Sequence, residues 1–177
     1  MMNIIMMGPQ GSGKSTQAEL LAEQLGMAHL EAGELLHYLS QAVTPQGRAI
    51  KKIMASGQLV GDELMVKIIK QRLAEPQYQN GFVLDGFPRV LSQARQFDAK
   101  IERVFYLQVS DQEGVKRLLK RKRADDTAAT IQKRLLLYHQ ETEPVLDFYR
   151  SRGVLTTVDG ERSVEAIHQD ILKRIKR

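Results

Sequence analysis

The 177-residue chain is 42% hydrophobic and 27% charged, enough for one domain that buries about 70% of its unfolded surface. It has no cysteine, which excludes disulfides and thiolate metal sites and fits a reducing, cytoplasmic setting; no apolar run approaches the ~20 residues of a membrane span. The net charge of +5 leaves nucleic acid, an acidic membrane surface or a polyanionic small molecule as partners.

Residues 2–7 are apolar and stop at Gly8-Pro9, the pattern of a buried strand. "GPQGSGKST" follows at 8–16, with the Gly8-x-x-x-x-Gly13-Lys14-Ser15 spacing of a phosphate-cradling loop. Gly8, Gly11 and Gly13 let the backbone turn its N–H groups inward around phosphate oxygens, with Ser12 and Thr16 in the same arc. A helix predicted over 14–25 adds its positive N-terminal end. Lys14 supplies a mobile point charge for the outer phosphates, and the Ser15 hydroxyl can serve Mg²⁺. The loop specifies a nucleoside triphosphate and leaves its use open.

A short strand at 28–30 and helices at about 33–43, 46–56 and 62–74 come next. "GFVLD", 81–85, reads as a central parallel strand ending in Asp85, a carboxylate placed to hold Mg²⁺ beside the loop. The remaining pattern predicts a helix at 90–98, a strand at 103–109, helices at 111–122 and 127–152, a strand at 153–159 and a helix at 163–176. Strands alternating with helices argue for an α/β fold with a parallel sheet. The run "KRLLKRKR", 116–123, holds six cations in eight positions, with Arg117 and Arg121 on one helical face. No stacking aromatics accompany it, which disfavours nucleic acid.

"DGFPR" at 85–89, taken with "GPQGSGKST", "TIQKRL" at 130–135 and "VDG" at 158–160, resembles the adenylate kinase and nucleoside monophosphate kinase family from residue 2 to about 172. The resemblance implies a P-loop three-layer α/β/α fold, a small helical monophosphate-binding segment at 31–60 and a minimal lid at 120–128. It implies transfer of the γ-phosphoryl group of ATP to a nucleoside monophosphate, first of all AMP, with Mg²⁺, by a cytoplasmic monomer. Arg89 would grip the acceptor phosphate, which suits a bidentate guanidinium. Gln93 would read the base edge, since an amide donates and accepts at once. Ala32, Gly33, Gln58, Leu59, Val60 and Gly86 would border the acceptor. Arg117, Arg121, Arg123 and Arg134 would embrace the transferring group, and Arg162 would lie near the donor adenine.

Two departures stand out. Residues 31–37 read "EAGELLH", with Ala-Gly-Glu closer to the uridylate–cytidylate kinase branch and His37 where the family carries a phosphate-gripping arginine. Losing a charge-assisted contact of ~1.5–3 kcal/mol would weaken monophosphate binding roughly 10- to 150-fold. In addition, only Lys122 separates Arg121 from Arg123, a lid short enough to exclude water poorly and to allow hydrolysis of ATP without acceptor. CMP, UMP or a deoxynucleotide therefore stays open as acceptor. So do an ATP-binding regulatory protein with a weakened acceptor site and a P-loop kinase for another small acid or alcohol.

Overall fold

The computed structural model of the chain describes residues 2–55, 60–121 and 127–176, with Arg121 described in its backbone alone. Strands β1 (Met2–Met7), β2 (Ala28–Glu31), β3 (Gly81–Asp85), β4 (Arg103–Gln108) and β5 (Leu155–Asp159) form one sheet in the order β2-β3-β1-β4-β5. Every pairing is parallel, so each connection must cross a face of the sheet, and helices make the crossings. They are α1 (Lys14–Leu25), α2 (Ala32–Ser40), α3 (Pro45–Ala55), α4 (Asp62–Leu73), α5 (Leu91–Gln96), α6 (Asp111–Arg121), α7 (Ala128–Leu137), α8 (Glu143–Ser151) and α9 (Val164–Ile175).

The period-2 alternation of the strands divides the core into two layers. Ile4, Met6, Val83, Phe105, Leu107 and Val158 pack under Ala18, Leu21 and Ala22 of α1 and Ile167 and Ile171 of α9. Ile5, Met7, Leu30, Leu84 and Val104 face the other way, onto Ile69 of α4, Ala94 of α5 and Tyr149 of α8. Each such fully buried aliphatic side chain contributes about 1.5–3 kcal/mol. Because all strands run one way, their carboxyl ends share one edge. From the central β1 the chain runs out to the edge strand β2 and then returns through β3 to β4 and β5 on the other side of β1, so the connections leaving β1 and β4 diverge and open a crevice at that edge, the usual ligand position of such sheets.

Three local differences from the sequence-based expectation have physical causes. The helix expected over 127–152 is interrupted by a π-helical turn at Tyr138–Thr142. Pro144, in the first turn of α8, has no N–H to give and crowds the preceding turn, and the wider turn absorbs this. The helix expected over 33–43 ends at Ser40, whose hydroxyl donates to the His37 carbonyl at 2.6 Å, a local bond that competes with the helical ladder. A short 3₁₀ turn at Pro76–Tyr78 precedes β3. The expected lid at 120–128 falls largely, and Gln58 and Leu59 fall entirely, outside the described residues. No helix among the described residues is long and apolar enough to cross a membrane.

Candidate active site

The 8–13 loop leaves β1 at the crevice and runs straight into α1. Gly13 stands just before the helix at φ 85°, a left-handed conformation that glycine adopts without strain. No side chain caps α1 and no acid sits in its first turn, so its partial positive charge is open to an anion. Gly11, at φ 81°, lies directly on α6: a Cβ there would come within 2.4 Å of the Gly114 carbonyl oxygen. Ser12 is fully buried, and its Oγ and the Oε1 of Gln10 have no hydrogen-bond partner. Buried polar atoms left unpaired cost about 1–3 kcal/mol each, which a ligand in the loop would offset.

Asp85 ends β3 opposite Met6 of β1. It is 1% exposed. The Ser15 hydroxyl donates to its Oδ2 at 2.5 Å, while Oδ1 is unpartnered. A hydroxyl and a buried carboxylate with a free oxygen fit a hard divalent cation. Among the described residues no three carboxylate, imidazole or thiol groups converge on a metal position, so such an ion would complete its shell with water and phosphate oxygens. Glu31 ends β2 in register with Asp85, and their side chains leave the same sheet face. Burial, then Asp85 and Glu34, push the Glu31 carboxyl above its ordinary pKa, against the pull of His29 and Lys14.

On the other side of Asp85 the chain turns through Gly86-Phe87-Pro88-Arg89, with Gly86 at φ 78° and a cis Phe87–Pro88 bond. Phe87 is 1% exposed and meets Phe97 edge-on at 5.2 Å, anchoring the turn. Arg89 folds back so that its Nε donates to the Gly86 carbonyl at 2.8 Å. Its own carbonyl accepts from the Thr142 hydroxyl at 2.8 Å. The residue keeps an exposed surface along the crevice. Loss of water around the guanidinium lowers its pKa, Asp85 raises it, the neighbouring Arg134 lowers it and Glu31 raises it again. Two guanidiniums held this close in a partly desolvated position favour a polyanion between them.

Beside Arg89 opens a mostly apolar cavity walled by Ala32, Leu36, Val60, Met65, Gly86 and Phe87, with Gln93 at its polar end. Gln93 is 4% exposed. Its Oε1 accepts from the Arg89 backbone N–H at 2.9 Å, and its Nε2 donates to Asp62 Oδ1 at 3.0 Å. Gly33 lies in the first turn of α2, next to Glu31: a Cβ on it would be 3.7 Å from Glu31 Oε1. His37 is exposed on α2 and is not among the residues walling this cavity.

Arg117 reaches the turn after β5, donating to the Gly160 carbonyl at 2.9 Å, and is braced by Glu113 at 2.9 Å. Arg162 is turned toward α9, where it meets Asp170 at 2.7 Å. Arg174 and Arg162 together hold the Asp170 carboxyl down at about 2. The structure thus brings together the loop, Lys14, Ser15, Asp85, Arg89, Arg134, Ala32, Val60, Gly86 and Gln93, and sets Arg117 and Arg162 at the 159–162 turn. The side chain of Arg121, together with Gln58, Leu59 and Arg123, lies outside the described residues. A larger cavity of about 520 Å³ opens beside β4 and β5, but Asp111, Glu143, Asp159 and Glu161 line it and repel phosphate.

Sequence reasoning passed over Asp62, Glu113, Gly114 and Thr142. Gly114 carries a signal, since a glycine inside a helical pattern costs about 1 kcal/mol relative to alanine and asks for a packing reason. Glu113 is an ordinary i,i+4 partner of Arg117 on a helical face, while Asp62 and Thr142 look like ordinary surface residues until their distant partners are known.

The family model described as adenylate kinase matches residues 6–154 of the chain. A protein named adenylate kinase from Trichodesmium erythraeum is 38% identical over 187 aligned residues, covering 99% of this chain and 98% of its own. Another of that name from Leptospira biflexa is 39% identical over 186 residues, covering 99% and 100%. A third, from Archaeoglobus fulgidus, is 34% identical over 216 residues, again covering 99% and 100%.

Proposed function

Since the chain belongs to the adenylate kinase family, we propose that it transfers the γ-phosphoryl group of ATP to AMP, giving two ADP, across the crevice between the 8–16 loop and Arg89. The observation that carries this reading is the pairing of two anion sites at one sheet edge. The uncapped N-terminus of α1 lies on one side of Asp85 and the Arg89 fork on the other.

Lys14 and the backbone from Gly11 through Thr16 hold the donor phosphates. Arg117 and Arg162 border the donor base at the 159–162 turn. Arg89 holds the acceptor phosphate, with Gln93 on the base edge and Ala32, Gly33, Val60 and Gly86 along the base and ribose. Arg134, close to Arg89, reaches the group in transit. Arg121 and Arg123 share that task, and Gln58 and Leu59 continue the acceptor wall. Transfer then needs little covalent help from the protein. An oxygen of the AMP phosphate attacks the γ-phosphorus, the bond to the β-bridging oxygen breaks, and the guanidiniums stabilise charge spread over the equatorial oxygens. Ser15 and Asp85 are the residues that would hold Mg²⁺, which when bound neutralises charge on the donor phosphates. Both subsites come from one chain, which supports a monomer; the absence of cysteine supports the cytoplasm.

A panel of nucleoside monophosphates with ATP and Mg²⁺, read by coupled ADP production, tests the reading. The expected result is fastest turnover with AMP and inhibition by a bisubstrate dinucleoside polyphosphate. Absence of turnover with every monophosphate would overturn it.

A further inference from the structure

We propose that Asp62 sets which bases the acceptor site takes, by fixing the flip of the Gln93 amide; this rests on Gln93 reading the base. Asp62 opens α4, 31 positions from Gln93 in the chain. Its Oδ1 accepts from Gln93 Nε2 at 3.0 Å, and its Oδ2 accepts from the Ser92 hydroxyl. At the other end of the amide, Oε1 accepts from the Arg89 backbone N–H at 2.9 Å. A carboxylate oxygen accepts and a backbone N–H can only donate, so these two partners dictate which end of the amide is nitrogen. Turning the amide over would set its oxygen against the Asp62 carboxylate and its NH₂ against the Arg89 N–H. Two hydrogen bonds would become two repulsive contacts in a residue that is 4% exposed.

The clamp leaves one N–H and one oxygen lone pair of the amide unspent, side by side, where Gln93 borders the cavity. Adenine answers this pair with N1 as acceptor and N6–H as donor. Cytosine offers the same order at N3 and N4–H. Guanine, hypoxanthine and uracil offer the reverse, an N–H donor beside a carbonyl oxygen. A free glutamine would turn over and serve either order. The clamped one rejects the second set, because a site left with unmatched polar groups discriminates far more strongly than one that merely lacks a contact. Asp62 is thus a positioning residue for base choice.

AMP and IMP give the sharpest probe, since adenine and hypoxanthine share a shape and differ in the order of donor and acceptor. In the 177-residue protein, Asp62→Ala and the near-isosteric Asp62→Leu, neither of which offers an acceptor to Gln93, are expected to lower the AMP/IMP ratio of kcat/KM by about tenfold or more, with the KM for ATP unchanged. Ser92→Ala removes the other bond to Asp62 and should leave the ratio within about threefold of wild type. Equal losses for AMP and IMP in both Asp62 variants would mean that Asp62 only supports the fold, and the proposal falls. Gln93→Ala separates the underlying reading. If it leaves the AMP/IMP ratio intact, Gln93 does not read the base at all. If it collapses the ratio while the Asp62 variants do not, only the clamp is wrong.

Discussion

Arg89→Lys keeps the charge at the acceptor site and removes its shape. In the structure the Nε of Arg89 is committed to the Gly86 carbonyl at 2.8 Å, and the guanidinium lies across that glycine, with Nη2 3.4 Å from where a Cβ on Gly86 would stand. The fork is therefore aimed by its own backbone, with its terminal nitrogens left for a phosphate. A lysine ammonium has one nitrogen: it can bond the Gly86 carbonyl or the phosphate, but cannot hold one and grip the other bidentately. The loss is one charge-assisted bond, ~1.5–3 kcal/mol, or about 10- to 150-fold in kcat/KM for AMP. Steady-state kinetics with each substrate varied in turn would show it, the loss appearing on the AMP axis and the KM for ATP holding within about threefold. An Arg89→Lys enzyme within threefold of wild type for AMP, or equally impaired for both nucleotides, would refute the assignment of Arg89 to the acceptor.

Gly11→Ala should destabilise the protein and weaken ATP binding together: the left-handed backbone costs ~1–2 kcal/mol, and the new Cβ meets the Gly114 carbonyl oxygen at 2.4 Å. Gly13 meets nothing within 4 Å, so Gly13→Ala should lower the urea midpoint less, and the reverse order would count against the packing argument. Asp85→Asn should lower affinity for Mn²⁺, followed by electron paramagnetic resonance with the protein saturated by a non-hydrolysable ATP analogue, by about tenfold with the fold intact; undiminished Mn²⁺ binding places the ion elsewhere. His37→Arg should restore a fork and lower the KM for AMP, by up to about tenfold; an unchanged KM shows that position 37 does not face the acceptor. His139 bonds Glu143 at 2.7 Å and Asp111 at 3.0 Å, which raise its pKa above 6.5 in the folded protein. Its contribution is therefore full below about pH 6.5 and lost as pH rises through the higher folded value. The ring is 42% exposed, so His139→Gln should cost less than about 1 kcal/mol in urea unfolding at pH 6 and nothing at pH 9; an equal cost at both would exclude the charge as cause.

The glycine-rich loop at 8–13 and the strand–helix alternation were legible in the sequence because both depend on neighbours. Apolar spacing marks a strand or a helix face, and Gly8, Gly11, Gly13, Lys14 and Ser15 act within one turn of chain. Arg89 and Gln93 were singled out by the resemblance of the "DGFPR" segment to the family, not by spacing, and the structure joins them through the Arg89 N–H on Gln93 Oε1. The broken helix at 138–142 was half-visible in Pro144, but a widened turn and a stop look alike in sequence.

What the chain could not disclose along its length is which side chains meet across it. Asp62 reaches Gln93 over 31 positions, Thr142 reaches the Arg89 carbonyl over 53, and Ser15 reaches Asp85 over 70. Glu31 becomes a neighbour of Asp85 only through the register of β2 on β3. Backbone preference acts over a few residues and so can be read locally. Hydrogen bonding and charge act over a few ångströms, and only the packed sheet decides which residues come that close.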